Sequence, residues 1–151
     1  MFVGEAPGAV EDETGRPFVG AAGQFLERML ADIGLRREDV FIANINKCRP
    51  PGNRDPEPEE IAACNPWLRA QIRVIRPRVI CTLGRFAMNT LIAPELQISK
   101  AHGQPVEKDG ILYLPLFHPA AALHQQALQS TLIADMRAVR EALKARGLWD
   151  E

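Results

Sequence analysis

Three short polar segments each follow a run of apolar residues and carry side chains that could do chemistry. Glu5 lies in the glycine- and proline-rich segment 4–8, and a carboxylate at a strand end suits a general base or a water-positioning group. Asn44 ends a second apolar run, and its amide offers a donor and an acceptor, which suits the edge of a nucleobase. His118 follows the last apolar run, where an imidazole can donate to a developing anion. A solvated turn glutamate, an asparagine that ends a sheet and an exposed loop histidine are the simpler alternatives.

The glycines of segment 4–8 could instead expose backbone N–H groups to a phosphate. The segment fits neither the P-loop nor the dinucleotide pattern, because it lacks a Gly-Lys-Ser/Thr run and a third spaced glycine before a helix. Pro7 also removes a donor. These departures disfavour a nucleotide-binding enzyme of flavodoxin-like topology. The other two histidines, His102 and His124, lie on polar segments and are interpreted as exposed.

The elements that must position these residues alternate between strands and helices. We predict strands at 2–3, 40–45, 78–83 and 111–117, the last entered through Asp109-Gly110. We predict helices at 21–33, at 58–75, from the turn at Gly84 to 91, and at about 131–145. Strands separated by helices of this length form parallel sheets through right-handed crossovers. The predicted fold class is therefore α/β, a three-layer sandwich with a central four-stranded parallel sheet and helices on both faces. Because ligands of such sheets bind at the carboxyl ends of the strands, the three polar segments should converge on one crevice.

The composition is that of a globular protein. The 151 residues are 46% hydrophobic and 25% charged, which excludes a disordered chain. The longest apolar runs are too short to span a membrane, and no secretory signal is visible. Three cysteines do not form an even disulfide set. We therefore predict a single domain over 1–151, no membrane partner and a cytoplasmic location.

The net charge of −1 identifies no partner, but the charge is unevenly distributed. Residues 61–94 carry five arginines and no acid: Arg69, Arg73, Arg76, Arg78 and Arg85. Such a stretch is typical either of a solvated helix face or of a nucleic-acid footprint.

Four segments, in this order and spacing, resemble the family 4 uracil-DNA glycosylases, the iron–sulfur type of bacteria and archaea. They are residues 4–8 (GEAPG), 14–20 (TGRPFVG), 44–54 (NINKCRPPGNR) followed by Cys64, and 118–120 (HPA). The resemblance covers about residues 2–143 of the chain. It implies hydrolysis of the N-glycosidic bond of deoxyuridine in DNA, which leaves an abasic site. The base must first leave the stack and enter a pocket that reads its Watson–Crick edge.

The resemblance implies a role for each matching residue. Phe18 would stack on the extruded uracil, although a core phenylalanine is the alternative. Asn44 would bond the amide edge of the base, and His118 would donate to the uracil oxygen that becomes negative as the bond breaks. Glu5 would hold the attacking water or stabilise the cation-like sugar. The remaining matches are Gly4 and Ala6 beside the substrate, and Arg16, Lys47, Arg49, Arg54 and Arg85 as expected phosphate contacts.

Two positions differ from a related glycosylase family. Ala6 stands where that family has an aspartate, and Gly8 stands where it has a tyrosine that excludes the methyl group of thymine. Selectivity for uracil would therefore depend on other parts of the pocket.

The same resemblance implies a [4Fe–4S] cluster, which takes four cysteines. Only Cys48 and Cys64 match, and their separation of fifteen residues is a weak metal signal by itself. The other two ligands of the family lie upstream of the first strand. Cys81 is inside a predicted buried strand and is interpreted as a core residue. Two explanations are open: the sequence is shortened at its N-terminus, or the protein works without a complete cluster. The brief first strand favours the first explanation. A shortened chain is expected to have lower stability and an incomplete cluster site.

The expected partner is uracil-containing DNA, single- or double-stranded, and the expected state is a monomer. The alternative function is a non-catalytic or polymerase-associated DNA-binding domain of the same fold, which would release no base. The joint presence of Glu5, Phe18, Asn44 and His118 favours catalysis, because a binding domain needs no such set.

Overall fold

The computed structural model describes residues 1–5, 20–44, 58–123 and 125–148, with only the backbone described for 58–65. The strands among these residues are β1 (Phe2–Gly4), β2 (Ile42–Asn44), β3 (Val79–Leu83), β4 (Val106–Lys108) and β5 (Ile111–Leu116). The α-helices are α1 (Ala21–Asp32), α2 (Pro58–Ile75), α3 (Arg85–Leu91), α4 (Ile98–Ala101), α5 (Pro119–Ala122) and α6 (Gln126–Ala145). A short 3-10 helix, Arg37–Asp39, precedes β2.

The strands form one sheet in the order β2-β1-β3-β5-β4. The first four run parallel, as predicted, and β4 is antiparallel to β5 at one edge. The prediction of four strands was therefore wrong by one. Asp109 and Gly110, at φ 53° and φ 80°, connect β4 to β5, and positive φ at both central residues is the geometry of a tight type I′ hairpin.

Helices cover both faces of this sheet, which confirms the predicted layers. On one face, α1 and α6 pack on alternate strand residues; Leu26, Leu132, Val79, Cys81 and Leu114 belong to this core. On the other face, α2 and α3 pack on the intervening residues, and Leu68, Met88, Val3, Ile80 and Tyr113 form the second core. The period of two along each strand sends neighbouring side chains to opposite faces.

The largest difference in a helix boundary is at α6, which begins at Gln126 and not near 131. Its buried stripe contains Leu132, Met136 and Val139, and Leu128 extends the same stripe by one turn toward the N-terminus. The helix therefore starts where its apolar face first meets the core. None of the described helices has the length and hydropathy needed to cross a membrane.

Candidate active site

The carboxyl ends of β1 and β2 bring two predicted site residues side by side. Gly4 and Asn44 are register partners at the last residue of each strand. Glu5 follows Gly4 directly and is half-buried. The two segments that were predicted to converge at this edge do so.

Asn44 is a polar residue in an apolar setting. Its side chain is 6% exposed, and Oδ1 has no hydrogen-bond partner among the described residues. Leaving a buried acceptor unsatisfied costs about 1–3 kcal/mol. The amide oxygen therefore favours a ligand that brings a donor to it.

His118 follows β5 and is held by its own loop. Its Nδ1 accepts a hydrogen bond from the backbone N–H of Ala120 at 3.0 Å, so the hydrogen of the neutral ring is on Nε2. Burial lowers the pKa of His118 from its usual value of 6.5 to about 4. Near pH 7 the side chain is therefore a neutral imidazole whose donor nitrogen is Nε2.

Gly84, which the sequence analysis interpreted only as the turn from β3 into α3, lies against this histidine. Its φ is 91°, and its N–H donates to the carbonyl oxygen of Leu116 at 2.8 Å. A Cβ at this position would lie 3.2 Å from Cβ and 3.6 Å from Cδ2 of His118. The only sequence signal was a glycine directly after a buried strand, and that signal does not reveal the contact.

The predicted exposed position of His102 was wrong. Its Nδ1 lies 2.8 Å from Oδ2 of Asp135 on α6, and its ring centroid lies 4.9 Å from that of Phe117. The pair is partly buried, with 28% and 13% of the two side chains exposed. It packs against the residue directly before His118. His124 lies outside the described residues.

Together these residues line the carboxyl edge of the sheet, where the sequence predicted a crevice. The two central strands end in glycine, Gly4 in β1 and Gly84 directly after β3, whereas the flanking β2 and β5 lead to Asn44 and His118. Three interstrand spacings separate these two residues, roughly 14 Å between their backbones. A floor without side chains, with a hydrogen-bond acceptor at one end and a donor at the other, suits a flat polar ring.

Comparison with known proteins identifies the family of this fold and site. Residues 1–144 match the Uracil DNA glycosylase superfamily. The chain belongs to this superfamily. The type-4 uracil-DNA glycosylase of Saccharolobus solfataricus is 48% identical, over 97% of this chain and 72% of that protein. The type-4 uracil-DNA glycosylase of Thermotoga maritima is 44% identical, over 97% and 79%. These relatives confirm the resemblance to the family 4 uracil-DNA glycosylases.

A different relative is a much longer protein. A DNA polymerase of Bacillus phage SP01 is 31% identical over 97% of this chain, which corresponds to 16% of the polymerase. A segment similar to this chain is therefore one part of that polymerase.

Several predicted residues of this glycosylase site lie outside the described residues. They are Ala6, Arg16, Phe18, Lys47, Cys48, Arg49 and Arg54. Cys64 is in α2, where only the backbone is described. Arg85 is described: it is the exposed first residue of α3, and its Cζ lies 4.8 Å from the ring centroid of Phe86. Its position directly after Gly84 puts a positive charge at the edge of the sheet that carries the crevice.

The residues of this chain do not fit a complete [4Fe–4S] cluster. Such a cluster takes four thiolates, and the chain has three cysteines. Cys81 is buried in β3 among core residues, and burial raises the pKa of its thiol to about 11, which opposes formation of a thiolate ligand. This confirms its predicted place in the core. Among the described residues, no group of three or more His, Cys, Asp or Glu side chains could hold a metal ion.

Proposed function

We propose that this chain excises uracil from DNA by hydrolysing the N-glycosidic bond of deoxyuridine. Its membership of the superfamily and its identity to type-4 uracil-DNA glycosylases support this activity. The observation that carries the proposal is the pairing of a buried, unsatisfied acceptor on Asn44 with a neutral donor on His118, at two ends of one crevice. Water and deoxyuridine in DNA are converted to uracil and an abasic site.

Asn44 selects the base in this proposal. The N3–H of uracil donates to Oδ1 of Asn44, and Nδ2 of the amide donates to O4 of uracil. Cytosine presents the opposite pattern, an acceptor at N3 and a donor at N4. An amide fixed in one orientation therefore leaves two buried polar pairs mismatched when cytosine enters, and such mismatches give strong discrimination.

His118 stabilises the leaving group. As the C1′–N1 bond breaks, its electron pair moves onto the base, and negative charge develops at O2 of uracil. The Nε2–H of His118 donates to that oxygen, and this hydrogen bond strengthens as the charge grows, so it favours the transition state over the bound substrate. Because the ring is neutral, it contributes a fixed dipole and need not transfer a proton.

Glu5 acts on the sugar side. Its carboxylate follows β1 at the same edge, where it accepts a hydrogen bond from the attacking water and stabilises positive charge on the sugar. The water oxygen bonds to C1′, its released proton passes to the carboxylate or to solvent, and the uracil anion takes up a proton from solvent to give uracil. Gly4, Ala6 and Phe18 complete the base pocket in this proposal. Arg85 contacts the DNA backbone together with Arg16, Lys47, Arg49 and Arg54.

Cys48 and Cys64 are proposed as thiolate ligands to iron. Two cysteines supply half of the ligands that a [4Fe–4S] cluster takes, so no step above depends on a cluster. Iron and protein should be quantified together in the purified chain. We expect fewer than four irons per monomer, and a full complement of four in a monomer of this sequence would contradict the conclusion that the cluster site is incomplete.

The test of the function is release of uracil from a labelled oligonucleotide, followed by alkaline cleavage at the abasic site. Strand scission should occur at uracil and be absent when thymine replaces it. His118→Ala should slow release while binding of uracil-free DNA changes little. Equal losses of release and binding would show that His118 is not the group that stabilises the leaving base.

The second candidate is a DNA-binding domain that works as part of replication without releasing a base. The occurrence of a similar segment within a phage DNA polymerase favours it. Binding of the uracil oligonucleotide without any scission, at enzyme concentrations above that of the DNA, would support this function over excision.

A further inference from the structure

We infer that Gly84 is a positioning residue for His118, and that the absence of a side chain at this position sets the place of the imidazole in the crevice. This inference rests on the proposed function, since it assigns a cause to the orientation of the group that faces the leaving base. Gly84 itself touches no reacting atom in this scheme.

The backbone fixes Gly84 relative to the strand that carries His118. The N–H of Gly84 continues the ladder between β3 and β5 by donating to Leu116 at 2.8 Å. Leu116 is the last residue of β5, two positions before His118. The glycine and the histidine are therefore placed at neighbouring strand ends, and the backbone of Gly84 is held there by this hydrogen bond.

The space between them is already filled. A Cβ on Gly84 would lie 3.2 Å from the Cβ of His118, which is closer than ordinary van der Waals contact, and 3.6 Å from Cδ2 of the ring. On its other side the ring is held by the N–H of Ala120 on Nδ1 at 3.0 Å. Any side chain at 84 therefore displaces His118, which disturbs the hydrogen bond from Ala120 to Nδ1 and moves the donor hydrogen on Nε2.

A second explanation for a glycine here is backbone conformation. Gly84 has φ 91° and ψ 169°, a region that residues with a side chain hardly adopt. The chain offers a control for positive φ, because Gly110 has φ 80° but a Cβ there would meet nothing within 4 Å. Gly110→Ala introduces unfavourable backbone geometry without a contact to His118.

The experiment compares Gly84→Ala with Gly110→Ala in single-turnover uracil release and in DNA binding. We expect Gly84→Ala to lower the rate on the order of 10-fold with DNA affinity unchanged, because a contact of 3.2 Å shifts His118 by less than the roughly 1 Å of misplacement that costs about 100-fold. Gly110→Ala should keep the rate per folded molecule. In a His118→Ala background the added Gly84→Ala change should alter the rate less than twofold, because the group through which it acts is gone. A wild-type rate in Gly84→Ala, or an equal loss in both backgrounds, would overturn the inference.

A second readout does not depend on activity. The ¹⁵N signals of the His118 imidazole report its tautomer, and the wild-type chain should show hydrogen on Nε2 alone. Gly84→Ala should give mixed tautomers, because the bond from Ala120 weakens, whereas Gly110→Ala should not. An unchanged tautomer would count against Gly84 even if the wild-type chain releases no uracil. If the wild-type chain releases no uracil but Gly84→Ala changes the tautomer as expected, the proposed function is refuted and the inference about Gly84 is not.

Stability supplies a third comparison if Gly84→Ala does not fold. Replacing His118 by glycine removes the Cβ that the new methyl group would meet. Gly84→Ala should then be tolerated better in a His118→Gly background than in the wild-type chain, as measured by urea unfolding. Equal destabilisation in both backgrounds would show that backbone conformation alone requires the glycine.

Discussion

Because His118 is neutral in the folded chain, the stability of the fold should depend on pH by an amount that can be calculated. Burial lowers the pKa of this side chain from 6.5 to about 4, so between these values the unfolded chain binds a proton that the folded chain does not. The free energy of unfolding therefore rises with pH across this window, and above pH 6.5 it no longer changes through this group. Between pH 7.5 and pH 4.5 this one group should cost the folded state about 2.5 kcal/mol.

The assay is urea unfolding of the wild-type chain and of His118→Gln at several pH values in that range. Glutamine does not titrate, and the carboxylates that also titrate near pH 4.5 are common to both proteins, so the difference between the two pH profiles isolates His118. The wild-type chain should lose about 2.5 kcal/mol more than the variant on acidification. Parallel profiles would show that the folded-state pKa of His118 is not lowered, and the argument for a neutral donor would fail.

Four further outcomes follow from the same geometry. Asn44→Asp should lower uracil release on the order of 100-fold in kcat/KM, because a carboxylate cannot donate to O4; single-turnover kinetics with an unchanged rate would contradict the assignment. Cys81→Ser should destabilise the chain by about 1–3 kcal/mol, because it buries a hydroxyl group, and urea unfolding measures this loss. An iron assay should show bound iron unchanged in Cys81→Ser and reduced in Cys64→Ser. Arg85→Gln should reduce the slope of log affinity against log salt by about 0.7–0.9, as expected for one lost phosphate contact, and an unchanged slope would place Arg85 away from the DNA. Leu132→Ala removes a side chain of α6 that is fully buried in the core, so it should lower the free energy of unfolding by about 2–5 kcal/mol, measured by thermal or urea unfolding, while the rate of uracil release per folded molecule is unchanged.

The sequence predicted the layers of the fold well because they depend on periodicity. α2 has the predicted bounds, Pro58–Ile75, and the four parallel strands were found within two residues of each described end. The antiparallel strand β4 was missed because Val106–Lys108 is short and mostly exposed, which leaves little alternation to detect. Asp109-Gly110 was predicted as the entry to the strand at 111–117, but that it connects a hairpin could not be predicted without its partner strand β4.

The candidate site also has features that the sequence predicted and features that it did not. The shared location of Glu5, Asn44 and His118 could be predicted because each lies at or just after the end of a recognisable strand, and these strand ends share one edge of the sheet. The contact between Gly84 and His118 and the pairing of His102 with Asp135 join residues more than thirty positions apart. Periodicity carries no information about such contacts, since they depend on how the strands and helices are placed in three dimensions.

The glycine floor of the crevice has a consequence for how such a domain can diverge. Of the four parallel strands, the inner two, β1 and β3, lead to a glycine at this edge, Gly4 and Gly84. In the proposed function, the groups that contact the base, Asn44 and His118, come instead from the flanking strands β2 and β5, and Glu5 acts on the sugar from the segment after β1. The choice of base can therefore change by substitution at the flanks, while the middle of the sheet keeps its register and its cores. Evolution could alter the chemistry of this pocket without altering the framework that holds it.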